Sequence, residues 1–140
     1  MTEAILTTEE VTISTEDDIV LVRWKARTLA DRLGFDPFAT AAIVTAASEL
    51  ARNVWRHASR RSGRTTFSTL SRDGRGGLRM MFEDDGPGIV DVERALAGGN
   101  STVKTLGLGL AGSRRLADEF TLESVVGKGT KVTFTKWKRR

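Results

Sequence analysis

The stretch LRMMFEDDGPGI, Leu78 to Ile89, decides the fold. Its first seven residues, Leu78 to Asp84, read as a strand. The next five break that strand with an acidic residue, a proline and two glycines. Asp, Gly and Pro are the commonest turn residues, so a plain turn is one reading of Asp84-Asp85-Gly86-Pro87-Gly88-Ile89. The other reading is chemical. A carboxylate at a strand end can accept a hydrogen bond from an exocyclic amine, and glycines let a flat ligand lie against the main chain.

Upstream of this strand, RDGRGG (72–77) reads as a hairpin turn and TTFSTL (Thr65 to Leu70) as its partner strand. Before that lies a long helix. Asp36 is a good N-cap, Pro37 suits the first turn, and Phe38, Ala42, Ile43, Ala46, Leu50 and Val54 keep helical spacing to about His57 or Ala58. An earlier helix starts at a capping-box-like Thr15 and Asp18, runs through Ile19, Val22, Ala26, Leu29, Ala30 and Leu33, and stops at Gly34. VTIS (Val11 to Ser14) reads as a short strand. Downstream come a short helix from Asp91 to Ala97, a helix from about Leu108 to Asp118, and strands from Phe120 to Val125 and Thr130 to Trp137. The order β-α-α-β-β-α-α-β-β, with a hairpin and paired helices, predicts an α+β fold.

Composition sets the outer limits. The chain has 140 residues, 39% hydrophobic and 29% charged, which fits one domain, 1–140, with one core. Cysteine is absent, so thiolate metal sites, cysteine nucleophiles and disulfides are excluded. The lone histidine, His57, excludes multi-histidine metal centres. No apolar run approaches a membrane span, and the polar start MTEAILTTEE is no secretory signal, so a cytoplasmic domain is expected. The net charge of +4 rests partly on the last five residues, KWKRR, and reads as a solvated basic end. A basic domain binding nucleic acid is a competing class, but no recognition-helix or RNA-binding motif is present.

Three further segments bear chemistry. Glu49 and Asn53 are four apart on the long helix and share a face. A carboxylate and an amide oxygen suit Mg2+, although an ordinary exposed helical pair has the same spacing. Gly107-Leu-Gly-Leu-Ala-Gly112 formally matches G-x-G-x-x-G, but it follows loop-like sequence rather than a strand, and no Lys follows Gly112. The dinucleotide and Walker A readings are therefore rejected. What remains is a glycine-opened helix whose first N–H groups can bind phosphate, or glycines used for close packing. Gly98 to Leu106 is expected to cover it. Gly127-Lys-Gly-Thr130 joins the last two strands as a hairpin, with the Thr130 hydroxyl available to the same pocket. Twelve of the fourteen glycines lie at or after Gly74, which concentrates close backbone approaches in this half.

In this order, a Glu-x-x-x-Asn helix, a strand ending D-x-G-x-G, a G-x-G opening a helix and a late G-x-G-T hairpin resemble the four boxes of the GHKL ATPase/kinase superfamily. The resemblance runs from about Thr15 to the C-terminus. ASELARNVWRHA, DDGPGIVDVERALAGGNST, LGLGLAGSRRLADEFTLES and GKGTKVTFTKW are most similar to small anti-sigma-factor serine kinases of the RsbT-type stressosome switch family. The resemblance implies a Bergerat-type two-layer α/β sandwich, with helices on one face of a mixed sheet. It implies that ATP and Mg2+ are used, with Asn53 binding the metal and Glu49 acting as general base. Asp84 would accept from the adenine amine, with Gly86 and Gly88 against adenine and at the lid base. Gly107, Leu108 and Gly109 would hold phosphates, and Thr130 would support the adenine end.

The implied partners are STAS-domain antagonist and scaffold proteins as substrates and a PP2C-type phosphatase as the activated target. No membrane or nucleic-acid partner is implied. An anti-sigma factor that sequesters a sigma factor is the alternative output of the same site. One departure concerns the cover: Val103-Lys104-Thr105 stand where the family often has further glycines, which implies a stiffer lid with Lys104 available to a phosphate. Arg52 and His57 have no secure counterpart.

Overall fold

The computed structural model describes residues 2–58, 63–97 and 104–139. Within them the elements are β1 (Glu3–Ile13), α1 (Asp17–Leu33), α2 (Pro37–His57), β2 (Gly63–Arg72), β3 (Arg75–Asp84), α3 (Val92–Ala97), α4 (Lys104–Leu116), β4 (Glu119–Val125) and β5 (Gly129–Trp137). The element order is the one the sequence predicts. Of the expected cover, Gly98 to Leu106, residues 98–103 lie outside the described residues and 104–106 form the first turn of α4.

Local signals set the helix ends. Asp18 Oδ2 accepts from the N–H groups of Ser14 and Thr15 at 2.9 and 3.0 Å, which closes the reciprocal arm of a capping box ahead of α1. Gly34 ends α1 in the left-handed region at φ 84°, and its N–H donates to the Ala30 and Asp31 carbonyls. Two residues later Asp36 Oδ1 accepts from the Ala39 N–H at 2.8 Å, with Pro37 opening α2. The β2–β3 hairpin turns on Asp73 and Gly74, both at positive φ, as a two-residue turn matched to strand twist requires.

The strand order is β1-β2-β3-β5-β4. All four ladders are antiparallel, which corrects the expected mixed sheet. The cause is the β4–β5 hairpin. It inserts β5 between β3 and β4, so these two strands, which run the same way, never become neighbours. β1 is also longer than VTIS: it pairs with β2 from Glu3 to Ile13. Its first residues are mostly exposed, Ile5 and Leu6 included, so pairing with β2 rather than burial holds them extended.

Side chains alternate across the sheet. Phe67, Met80, Phe134 and Phe120 stand in one cross-strand row on β2, β3, β5 and β4, and Thr65, Phe82, Val132 and Leu122 form the next. Phe67, Phe82 and Phe134 are buried against α1 and α2. Each such ring removed from water contributes about 1.5–3 kcal/mol. The opposite face carries charge. Glu3 pairs with Arg72 and Arg79, Arg72 reaches Glu119, and the Arg72 guanidinium lies 4.3 Å from the Trp137 ring centroid.

Candidate functional site

Asp84 is the last residue of β3 and pairs in register with Thr130 near the start of β5. Its Oδ1 accepts the Gly86 N–H at 2.8 Å, so the carboxylate closes its own turn. Burial pushes the Asp84 carboxyl above its ordinary value, against the opposing pull of the Gly86 N–H, His57 and the Thr130 N–H. The glycines after it are there for clearance. A Cβ on Gly86 would lie 1.9 Å from the His57 carbonyl oxygen, and one on Gly129 would lie 2.0 Å from the Asp84 carbonyl oxygen. Gly88, at φ 82°, would meet the Val125 carbonyl at 2.6 Å. Thus the Asp84 turn is clamped between the C-terminal end of α2 and the β4–β5 hairpin.

Ser124 completes that clamp. The Ile89 N–H donates to Ser124 Oγ at 2.7 Å, and this hydroxyl lies 2.9 Å from Thr130 Oγ1. Sequence reasoning missed Ser124, because a lone serine in a strand carries no local signal.

The Glu49–Asn53 face of α2 meets α4. A Cβ on Gly109 would sit 3.3 Å from Asn53 Nδ2 and 3.4 Å from Glu49 Oε2, so α4 crosses directly over the pair. Glu49 Oε1 accepts from Arg52 Nη1 at 2.9 Å. Arg52 is thereby tied to the candidate base, a link that the three-residue spacing could have signalled. Asn53 is 8% exposed, and its Nδ2 has no hydrogen-bond partner among the described residues. Buried amides are normally paired, so this one is arranged to meet something else.

Asn53, Asp84, Gly88 and Thr130 line one small cavity of about 40 Å³, walled by apolar side chains including Leu50, Phe82 and Ile89. His57 lines it too. Burial lowers its pKa against the opposing pull of Asp84, and Nε2 lacks a partner among the described residues. The structure therefore brings Glu49, Asn53, Asp84, Gly86, Gly88, Gly109 and Thr130 to one corner of the molecule. Gly107 lies in the first turn of α4, which starts at Lys104 rather than near Leu108. Gly109 lies in the second turn, where the helix uses its N–H, so what it supplies is space. The side chains of Lys104 and Leu108 are outside the described residues.

The donor set fits a magnesium ion held together with phosphate. Asn53 offers its amide oxygen to a metal, its orphaned Nδ2–H2 can donate to a phosphate oxygen, and Glu49 lies one turn away. No group of three His, Cys, Asp or Glu occurs among the described residues to build an all-protein cage. Mg2+ takes few protein ligands and completes its shell with phosphates and water.

Residues 13–136 match the model of the histidine kinase-like ATPase domain. The chain is 44% identical over 129 residues to the serine/threonine-protein kinase RsbT of Bacillus subtilis (strain 168), covering 92% of this chain and 96% of that protein. A chain in the crystal structure of the SiaB-SiaC complex from Pseudomonas aeruginosa superposes with a TM-score of 0.58 at 12% identity. That likeness covers 95% of this chain and 90% of the other, and it speaks for the fold alone.

Proposed function

The chain belongs to the family of histidine kinase-like ATPase domains, and from that premise we propose that it is an ATP- and Mg2+-dependent protein serine/threonine kinase of a partner-switching pathway. The observation that carries this reading is the meeting of the orphaned Asn53 amide, the Glu49 carboxylate and the Asp84 carboxylate at one corner. The similarity to a serine/threonine-protein kinase over nearly the whole chain supports the choice of transfer to a protein hydroxyl.

In this reading Asp84 accepts from the adenine 6-amino group, and Thr130, tied to Ser124, braces the adenine end. Asn53 and the first N–H groups of α4, Gly107 among them, hold the metal-bound phosphates. Bound magnesium would neutralise phosphate charge. Glu49 orients the incoming serine or threonine hydroxyl and takes its proton. The hydroxyl oxygen bonds the γ-phosphorus, the bond from that phosphorus to the bridging oxygen breaks, and ADP leaves. Little covalent work is asked of the chain, and positioning supplies most of the rate.

The substrates proposed are STAS-domain antagonist or scaffold proteins, and the released kinase then activates a PP2C-type phosphatase, all in the cytoplasm. Radiolabelled phosphate transfer from ATP to STAS-domain proteins of the same genome tests this. Label on a serine or threonine of one of them is the expected result, and Mg·ATP binding with no labelled acceptor refutes it.

A further inference from the structure

We propose that the groove between α2 and α4 seats the protein-substrate segment that carries the phosphoacceptor hydroxyl. The inference rests on the kinase reading above. The groove has a volume of about 380 Å³ and is lined by Thr45 and Glu49 on α2 and by Gly109, Gly112, Ser113 and Leu116 on α4.

Its position relative to the nucleotide cavity is the first argument. Asn53 lines the cavity that holds Asp84 and Thr130, whereas Glu49 lines the groove. The contact of Gly109 with both side chains stands between the two chambers. One turn of α2 thus presents a metal-binding amide to one side and a base to the other. A hydroxyl that gives its proton to Glu49 has to arrive from the groove side.

Two residues with no role in nucleotide binding point the same way. Ser113 is 2% exposed, lines the groove, and its Oγ has no hydrogen-bond partner among the described residues. Hydroxyls in that state are rare in native proteins and are expected to meet a ligand, here the backbone of an extended segment. Gly112 sits inside α4, where glycine is disfavoured against alanine. Yet a Cβ there would meet nothing within 4 Å among the described residues, so their packing does not require glycine. The clearance serves the groove. Arg115 is exposed at its rim, opposite in charge to Glu49 within the groove.

The test fills the groove from opposite walls in the full chain, with Gly112→Leu on α4 and Thr45→Phe at an exposed position of α2. Calorimetry reads Mg·ATP affinity, and initial rates of transfer to the STAS-domain acceptor read KM and kcat. Each variant should raise KM for the acceptor by about tenfold or more with the Kd for Mg·ATP held within about twofold. Should Gly112→Leu fail to fold, Gly112→Ala, a better helix former, adds a methyl that meets nothing among the described residues and reports the same direction.

Unchanged KM in the folded variants overturns the groove. So does loss of Mg·ATP binding in both, which would make the groove part of the triphosphate site. Glu49→Gln separates the two levels. If it transfers phosphate normally while the groove variants raise KM, the base assignment fails and the groove stands. If it is inactive while the groove variants are normal, only the groove fails.

Discussion

Gly109 and Asn53 are packed so closely that a methyl on the glycine would come within 3.3 Å of the asparagine amide. This contact joins α4 to α2 at the point where the Glu49 and Asp84 sides of the site meet. Gly109→Ala should therefore separate nucleotide affinity from stability. The helix gains about 0.8–1 kcal/mol from the better helix former, which offsets the crowding, so Tm should stay near wild type. The Asn53 amide is displaced, and Mg·ATP affinity should fall about tenfold, by roughly 1.4 kcal/mol. An unchanged affinity in calorimetry would show that Asn53 tolerates the shift.

Asp84→Asn should remove nucleotide binding without unfolding the chain. The amide oxygen can still accept the Gly86 N–H that closes the turn. What it cannot keep is the charge-assisted bond to an adenine amine, which contributes about 1.5–3 kcal/mol. Because burial raises the Asp84 pKa, the ionised carboxylate opposes folding, and its cost appears as pH rises through the folded-state value. The variant should thus melt at or above the wild-type temperature at pH 7. Tight ATP binding by Asp84→Asn contradicts the adenine assignment.

Asn53→Ala should weaken Mg·ATP far more than metal-free ATP, since its amide oxygen is the atom proposed to meet the metal. Without nucleotide its Tm should hold near wild type, because deleting an unpartnered buried amide relieves a penalty of about 1–3 kcal/mol that offsets the small void left behind. Equal loss of affinity for both forms of the nucleotide would remove the metal role.

The outer face of the sheet predicts an acid limb of stability. Hydrogen bonds from Arg79 and then Arg72 lower the Glu3 pKa from 4.5 to about 2. A depressed carboxyl pKa stabilises the fold above the unfolded value and loses that contribution as pH falls from 4.5 toward 2. The Tm gap between wild type and Glu3→Gln should therefore be largest near neutral pH and shrink below pH 4.5. A gap that does not vary with pH would mean that the charge of Glu3 contributes nothing.

Much of the molecule was legible before any coordinates. The Gly34 stop, the Asp36 cap with Pro37, and the Asp73-Gly74 turn are local events, decided by one residue's backbone angles or a bond three residues away. Helical periodicity placed Leu50 and Val54 in the core and Glu49 and Asn53 beside it. The order of four motifs indicated the family and pointed to the residues that gather at the site.

Pairing and clearance had to wait for the folded chain. Nothing within β1 marks residues 3 to 10 as a strand, because their ladder lies some sixty residues away in β2. The placement of β5 between β3 and β4, and with it an antiparallel sheet, is settled only when the β4–β5 hairpin pairs with the β3 edge through β5. The glycines make the same point. Gly86, Gly109 and Gly112 look alike in the sequence, yet one clears the end of α2, one clears Asn53 and one meets nothing among the described residues. A glycine's purpose is set by the atoms that come to lie over it, and in this chain those atoms belong to distant segments.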